Sequence, residues 1–198
     1  MLARELQKVK VKVAALQKVR WRKTGERKFR AVDPTAGTSF KYHICYSGGK
    51  KAENGIGFVV LGKQQRRIIR WRLVTDSMCV LRIKGKFFNY SLINAYAPTN
   101  DKPADVKDEF YERLDKTYGE CPKHDVKLVI GDANAQNEKE EFFRPVIGKQ
   151  SLHSTTNDNG LRLINFAAAR GMAICSTYFA RWNIREHTWR HPNGETCS

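Results

Sequence analysis

The sequence predicts a mixed α/β fold built as a single domain over residues 1–198. Three observations predict it: short apolar runs bounded by glycine or polar residues, two stretches with apolar side chains at helical spacing, and a hydrophobic content of 41% in 198 residues. A chain of that size and composition buries most of its apolar surface in one core. Strand and helix patterns are mixed along the chain, which favours a layered arrangement of sheets and helices.

The first part of the chain is predicted as one short helix followed by strands. Residues 2–8 form the helix, and the alternating run Val9–Leu16 forms the first strand. The basic stretch Trp21–Arg30 is predicted as surface coil. A weak alternation predicts a strand over Ser39–Tyr46, and Ser47–Gly49 is typical of a turn.

The middle of the chain holds four further apolar runs and two helices. The predicted strands are Ile56–Leu61, Cys79–Ile83, Phe87–Ala95 and Val126–Ile130, the last buried on both faces because its run is fully apolar apart from one lysine. The first helix begins at Asp105 as its cap and ends near Gly119, and the second runs from Asn159 as its cap to Gly171.

Positive charge is concentrated in the first part of the chain. The net charge is +16, and residues 1–86 hold 22 Lys and Arg against 5 Asp and Glu, whereas residues 87–198 hold 14 against 15. A basic half joined to a neutral half is typical of a face that binds a polyanion, since each neutralised phosphate releases a counterion. A basic surface that only keeps the protein soluble is the alternative.

The basic residues near two tryptophans are candidate contacts to phosphates, with an indole ring as a stacking platform. The alternative is a set of solvated charges beside tryptophans of the core. The candidates are Arg20, Trp21, Arg22, Lys23, Arg66, Arg67, Arg70, Trp71 and Arg72.

The cysteines and the hydropathy pattern indicate an intracellular protein, in the nucleus or the cytoplasm. Five cysteines are scattered with no zinc-ligand spacing between any pair, which predicts buried thiols and no disulfide-linked partner. No apolar run approaches the ~18 residues of a membrane span, and charged residues interrupt every candidate signal peptide. We therefore expect a monomer without a membrane partner.

The segment Val129–Ala135 (VIGDANA) brings a carboxylate and an amide to the end of a predicted strand. If the extended conformation continues, the side chains of Asp132 and Asn134 leave the same face. A carboxylate can orient or deprotonate a water and an amide can donate to a phosphorane oxygen, which suits phosphodiester cleavage. A polar turn after a strand would produce the same pattern.

Other motifs accompany this one in a fixed order: the stretches ALQKVRW, GKFFNYSLINAYAPT, IGDANA, IGKQSLHSTTNDNGLRLINFAAARGM and HTWRHPNG. Together they resemble the exonuclease–endonuclease–phosphatase superfamily. Within it the closer resemblance is to the endonuclease domains of non-LTR retrotransposons and to the related craniofacial development protein 2-like proteins. The resemblance covers nearly the whole chain.

The resemblance implies a four-layer sandwich of two packed, mostly antiparallel sheets with helices outside, truncated at both ends. It also implies Mg²⁺-dependent phosphodiester hydrolysis of DNA. In that chemistry Asp132 activates the water, Asn134 contacts the phosphate and Tyr96 lies near the scissile phosphate. Thr188 and Trp189 fall in the strand before the family's next catalytic carboxylate.

The sequence departs from the family pattern at the metal site. The family's first motif ends in Gln-Glu, whose Glu holds the metal, and here the pair is Gln17-Lys18. A cation at that place repels a metal ion, by about 4 kcal/mol per unit pair at ~4 Å and an effective dielectric of ~20. The family's metal-site Asn and its catalytic His fall outside the sequence.

Three hypotheses stay open at this point. The first is an endonuclease-type domain with little or no activity, and the second is a non-enzymatic nucleic-acid-binding remnant that uses the basic half. The third is a fragment that does not fold stably, because missing strands would leave sheet edges open.

Overall fold

The computed structural model describes residues 2–32, 37, 39–48, 55–138, 141–150, 153 and 155–179. The helices are α1 (Leu2–Lys8), α2 (Ala104–Glu120) and α3 (Asp158–Ala169), with 3₁₀ turns at Gly62–Arg67, Glu141–Phe143 and Cys175–Thr177. The strands are β1 (Val13–Gln17), β2 (Thr24–Val32), β3 (Ser39–Ser47), β4 (Ile56–Leu61), β5 (Ile68–Thr75), β6 (Met78–Ile83), β7 (Tyr90–Tyr96) and β8 (Val126–Asp132).

The chain divides into two compact units. Unit 1 consists of Met1–Tyr96 and Lys116–Asp132, and unit 2 consists of Ala97–Asp115 and Ala133–Ser198. All eight strands named above lie in unit 1, and α3 lies in unit 2. The single-domain organisation of residues 1–198 stays a prediction.

Unit 1 contains two four-stranded sheets. The first sheet has the order β1-β4-β3-β2 with antiparallel neighbours throughout. The second has the order β5-β6-β7-β8, antiparallel except for the parallel pair β7 and β8. The predicted fold class, a mixed α/β fold with two mostly antiparallel sheets and helices, is confirmed.

The apolar core of unit 1 lies between the two sheets. Alternate residues of β4 point to the second sheet, where they pack against residues of β6 and β7. The other face of β4 and β3 packs with Leu6 of α1, so α1 covers the outside of the first sheet. The residues of the inter-sheet cluster are Ile56, Phe58, Val60, Cys79, Leu81, Ile83 and Leu92.

Most predicted elements are present, with shifted ends. The strand predicted from Val9 begins at Val13, because α1 is followed by a turn in which Lys10 adopts a positive φ of 59°. The strand predicted from Phe87 begins at Tyr90, after a bend. The helix predicted from Asp105 begins at Ala104, so Asp105 lies in the first turn rather than at the cap.

The predicted cap of the last helix is wrong by two residues. The side chain of Asn157, not Asn159, accepts a hydrogen bond from Gly160 N at 2.7 Å, and α3 begins at Asp158. Asn159 is instead buried, with its amide nitrogen donating to Pro98 O at 2.8 Å. Near the start of a helix, an asparagine side chain can cap the helix or can form a hydrogen bond with a backbone group elsewhere. The sequence alone does not distinguish these two roles, which depend on packing.

Two predictions about strands are wrong, and one strand was missed. Trp21–Arg30 was expected to be coil, but β2 pairs with β3 over nine residues from Thr24. β8 is not buried on both faces, since the side chains of one face are exposed, with Val126 at 39%, Leu128 at 44% and Ile130 at 38%. β5 was not predicted.

Three of the four described cysteines are buried thiols as predicted, and the fourth is not. Cys45, Cys79 and Cys121 are buried free thiols and Cys175 is an exposed one, while Cys197 lies outside the described residues. Within the described ranges, no helix combines the length and the apolar character that a bilayer crossing requires.

Candidate functional site

A buried asparagine fixes the end of β1 against β7. Asn94 is fully buried, and its amide nitrogen donates to Leu16 O at 3.0 Å and to Gly57 O at 2.8 Å. Its amide oxygen accepts from Gln17 Nε2 at 2.7 Å. These hydrogen bonds join the second sheet to the first. They therefore fix the position of the end of β1 and of Lys18, which follows it.

Lys18 follows at this end of the sheets with a left-handed backbone, φ 53°. Its ammonium nitrogen lies 5.3 Å from the centre of the Tyr96 ring, within the range of a cation–π contact. The structure therefore brings together two residues of the predicted site, the lysine at the family's metal position and the predicted phosphate-side tyrosine.

Asp132 lies beside Tyr96, since the two residues are partners in the parallel register of β7 and β8. The preceding residue, Gly131, adopts a φ of 142°, and a Cβ at its position would lie 1.9 Å from Ala95 O. Only glycine allows β8 to come this close to β7. Asp132 thus ends β8 at the same sheet end as Lys18 and Tyr96.

Asn134 belongs to unit 2, where its side chain forms a hydrogen bond with a backbone carbonyl group. Its amide nitrogen donates to Ala97 O at 2.7 Å, and its carbonyl oxygen accepts from Asn157 Nδ2 at 3.2 Å and Asn159 Nδ2 at 3.3 Å. Its φ of 47° shows that the extended conformation does not continue past β8. The assumption that Asp132 and Asn134 share a strand face is therefore wrong, and the phosphate-contacting role of Asn134 stays a prediction.

Of the residues that the structure describes, those at the strand ends of unit 1 do not fit a magnesium site. Mg²⁺ takes oxygen ligands, usually one or two carboxylates with water, and here one carboxylate, Asp132, is accompanied by the ammonium of Lys18. The one group of three potential metal ligands found among the described residues lies elsewhere, at Glu26, His43 and Cys45.

The loop between β1 and β2, Lys18–Lys23, is a basic surface that we call the basic loop. Lys18, Arg20, Arg22 and Lys23 are all exposed, and the ring of Trp21 is 40% exposed. Three of the cations, Lys18, Arg20 and Lys23, have positive φ values of 53°, 55° and 68°. Left-handed backbone costs a non-glycine residue about 1 kcal/mol or more, so surrounding contacts must hold this conformation.

Those contacts come from the neighbouring strands. Val19 N donates to Gly55 O at 3.0 Å, and Gly48 N donates to Lys23 O at 2.7 Å. The ring of Trp21 meets Tyr46 edge to face, with centroids 4.8 Å apart. The basic loop is therefore held in one shape with its charges in solvent and half of an indole ring exposed.

Arg70, a predicted nucleic-acid contact, and Trp71, a predicted stacking platform, are not brought to this loop. Arg70 pairs with Arg82, which pairs with Ser91 near the start of β7, whereas Lys18 lies at Tyr96, five residues or ~16 Å along the strand direction. The side chain of Trp71 packs in the core, edge to face with Phe58, rather than forming a platform. Thr188 and Trp189 lie outside the described residues.

The two mostly antiparallel sheets and the motifs at the strand ends agree with the resemblance to the exonuclease–endonuclease–phosphatase superfamily. Over 191 residues, 96% of the chain, the sequence is 30% identical to craniofacial development protein 2 of Tragulus javanicus and 29% identical to that of Bos taurus. The resemblance predicted from the motifs is confirmed. The chain spans about a third of the length of these relatives, 31% and 30%. No family model matches the chain.

Two solved structures are also similar. The endonuclease domain of TRAS1, a telomere-specific non-LTR retrotransposon, shares 17% identity with a TM-score of 0.49, covering 86% of this chain and 63% of that one. CdtB, the biologically active subunit of cytolethal distending toxin, shares 13% identity with a TM-score of 0.40, covering 64% of this chain and 56% of that one.

Proposed function

We propose that this chain is an endonuclease-like domain that binds nucleic acid through its basic half and has lost most or all metal-dependent phosphodiester cleavage. The observation that carries the proposal is the ammonium of Lys18, 5.3 Å from the centre of the Tyr96 ring. It stands at the end of the sheets where Asp132 supplies the carboxylate. A fixed cation there attracts a phosphate and repels a divalent metal ion.

The basic loop supports the binding half of the proposal. Four exposed cations on six consecutive residues give a dense positive charge, and hydrogen bonds to Gly48 and Gly55 hold its backbone. A preorganised cationic loop loses little conformational entropy when it meets a phosphate backbone. Trp21 is 40% exposed, so its ring offers a surface on which a base can stack.

The loss of cleavage follows from the chemistry that the strand ends retain. Hydrolysis of a phosphodiester needs charge stabilisation at the phosphorane oxygens as well as an activated water. Asp132 can orient a water, but at the family's metal position the predicted site has the ammonium of Lys18 instead of a carboxylate. When catalytic groups act as a unit, the removal of one group lowers the rate almost as much as the removal of all of them.

The type of endonuclease, the nucleic-acid partner and the location in the cell are also part of the proposal. We place the domain with the endonucleases of non-LTR retrotransposon type, with DNA as its partner and the nucleus or cytoplasm as its location. The motif order and the relatives named craniofacial development protein 2 support this assignment.

The salt dependence of DNA binding tests the proposal. We expect the affinity for a labelled oligonucleotide, measured by fluorescence anisotropy, to fall linearly with the logarithm of salt concentration. Changing Arg20, Arg22 and Lys23 together to Gln should lower the slope of that plot by about 2 to 3, or roughly one for each phosphate that is no longer neutralised.

A matched triple variant controls for net charge. Lys102, Lys116 and Lys123 are exposed lysines of the neutral half, and their change to Gln removes the same charge. This variant should leave the slope within about one unit of the wild-type value. Equal slopes for the two triple variants, or no binding by the folded wild-type protein, would contradict the proposal.

A further inference from the structure

Three potential metal ligands meet on the β2–β3 pair, two strands across the first sheet from β1. Glu26 lies directly opposite Cys45 in the antiparallel register, and His43 lies two residues before Cys45 on the same strand. Because side chains alternate along a strand and opposite partners share a face, the three side chains leave the same face of the sheet.

The ligand atoms are already close to one another. His43 Nε2 lies 3.1 Å from Glu26 Oε2 and 3.8 Å from Cys45 Sγ, and all three atoms lie within 4.8 Å of each other. In a tetrahedral zinc site with bonds of about 2.0–2.3 Å, neighbouring ligand atoms are about 3.4–3.6 Å apart. Shifts of a few tenths of an ångström to about 1 Å would complete that geometry.

From this geometry we infer that Glu26, His43 and Cys45 form a binding site for a zinc-like divalent transition metal. A thiolate, an imidazole and a carboxylate are a donor set for zinc and its neighbours, whereas Mg²⁺ and Ca²⁺ take oxygen ligands. His43 and Cys45 are buried, and the half-exposed side chain of Glu26 gives the metal a path from solvent. A water takes the fourth position on that open side.

Two features of the site oppose metal binding: the protonated thiol of Cys45 and the nearby positive charge of Lys28. Burial, with a smaller contribution from the Glu26 carboxylate, raises the pKa of the Cys45 thiol to about 12. The metal therefore binds by forming a metal–sulfur bond in place of the S–H bond, and the released proton goes to the buffer. Lys28 stands opposite His43 in the register, but it is exposed and can keep its ammonium in water.

The site would fasten β2 to the rest of the sheet. β2 is an outer strand of the first sheet in the described part of the chain, and its charged side chains are exposed. A metal held by Glu26 on β2 and by His43 and Cys45 on β3 adds a cross-link between the two strands.

Cobalt titration of the untagged protein tests the inference. We expect one Co²⁺ per chain with a thiolate-to-cobalt charge-transfer band in the near ultraviolet, displaced by Zn²⁺. Cys45→Ala should abolish the band. Glu26→Gln, which keeps the shape of a half-exposed side chain, should weaken Co²⁺ binding by about tenfold or more.

Two controls separate this site from adventitious binding. Cys175→Ser removes an exposed thiol, and Glu112→Gln removes an exposed carboxylate of α2, and neither should change the affinity. Circular dichroism of each variant establishes that it is folded. The inference is overturned if the folded wild-type protein gives no thiolate band, if Cys175→Ser abolishes it, or if Glu26→Gln binds as tightly as Glu112→Gln does.

Discussion

At the residue scale, two adjacent side chains at the end of β1 have opposite roles. Gln17 is held by the buried amide of Asn94, at 2.7 Å, and so fixes the strand end. Lys18 turns out of the strand with a positive φ and places its ammonium at the Tyr96 ring. The sequence shows the departure from Gln-Glu, and the structure shows that the lysine occupies the site region rather than turning away.

Gly131 explains why a glycine precedes the predicted catalytic carboxylate. Gly131→Ala should lower the free energy of unfolding by more than about 2 kcal/mol, because the new methyl group would lie 1.9 Å from Ala95 O at a φ of 142°. Urea denaturation at neutral pH measures the change. The strain would also displace Asp132 from Tyr96.

Gly119 of α2 provides the matched substitution. A Cβ at its position would meet nothing within 4 Å, so Gly119→Ala should be neutral or should stabilise the protein by up to about 1 kcal/mol. Equal losses of stability for the two variants would contradict the close approach of β8 to β7.

At the element scale, one carboxylate joins three strands of the second sheet. Asp125, directly before β8, accepts a two-point hydrogen bond from Arg82 of β6, at 2.7 and 2.9 Å, and another from Ser91 Oγ of β7 at 2.7 Å. The Arg82 guanidinium, aided by the Ser91 hydroxyl, holds the pKa of Asp125 below its ordinary value, although burial of the carboxylate opposes this.

This interaction gives the fold a defined acid sensitivity. Because the folded-state pKa of Asp125 is lowered, its contribution is complete above the unfolded-state value of about 4 and is lost as pH falls through the folded-state pKa. Asp125→Asn should lower the free energy of unfolding by about 1–2 kcal/mol at pH 7. The loss should shrink as the pH of the urea titration is lowered from 5 to 3.

Asp76, in the turn between β5 and β6, is an exposed carboxylate for comparison. Asp76→Asn should change the stability by no more than about 0.5 kcal/mol at either pH. If Asp125→Asn costs the same at pH 3 as at pH 7, the carboxylate does not join the strands through its charge.

The strands show how far the sequence predicts this fold. Apolar runs such as Ile56–Leu61 were predicted with both ends in place, since burial of all six residues leaves a plain signal. β2 was missed because its charged residues, Arg27, Lys28 and Arg30 among them, hide a two-residue alternation, and an outer strand tolerates such charges. β8 shows the reverse, since an apolar run does not show whether another layer packs over each face of the strand.

The candidate site residues also show how much the sequence predicts. Asp132 and Tyr96 follow from motif order, and the structure pairs them in one register. Asn94 had no assigned role, although a lone polar residue inside an apolar strand is a signal for a buried hydrogen-bonding group. The Glu26–His43–Cys45 group was not predicted, because the pairing of β2 with β3 brings these three residues together and no local sequence pattern marks them.

At the scale of the whole molecule, the charge asymmetry coincides with the structure of unit 1. Residues 1–86, which hold 22 Lys and Arg against 5 Asp and Glu, lie within the continuous part of that unit, Met1–Tyr96. The basic loop belongs to the same unit as both sheets. The basic loop, whose charges suit contacts to phosphates, thus lies at the end of the sheets where Lys18 meets the Tyr96 ring.

The most direct test of this account is nicking of supercoiled plasmid DNA, with Mg²⁺ and with a chelator, by the wild-type protein and by Asp132→Ala. We predict that neither protein nicks the plasmid above background in either condition, while both retain salt-sensitive DNA binding. Nicking by the wild-type protein that requires Mg²⁺ and disappears in Asp132→Ala would show that the strand ends still assemble a metal site despite Lys18, and would contradict the account.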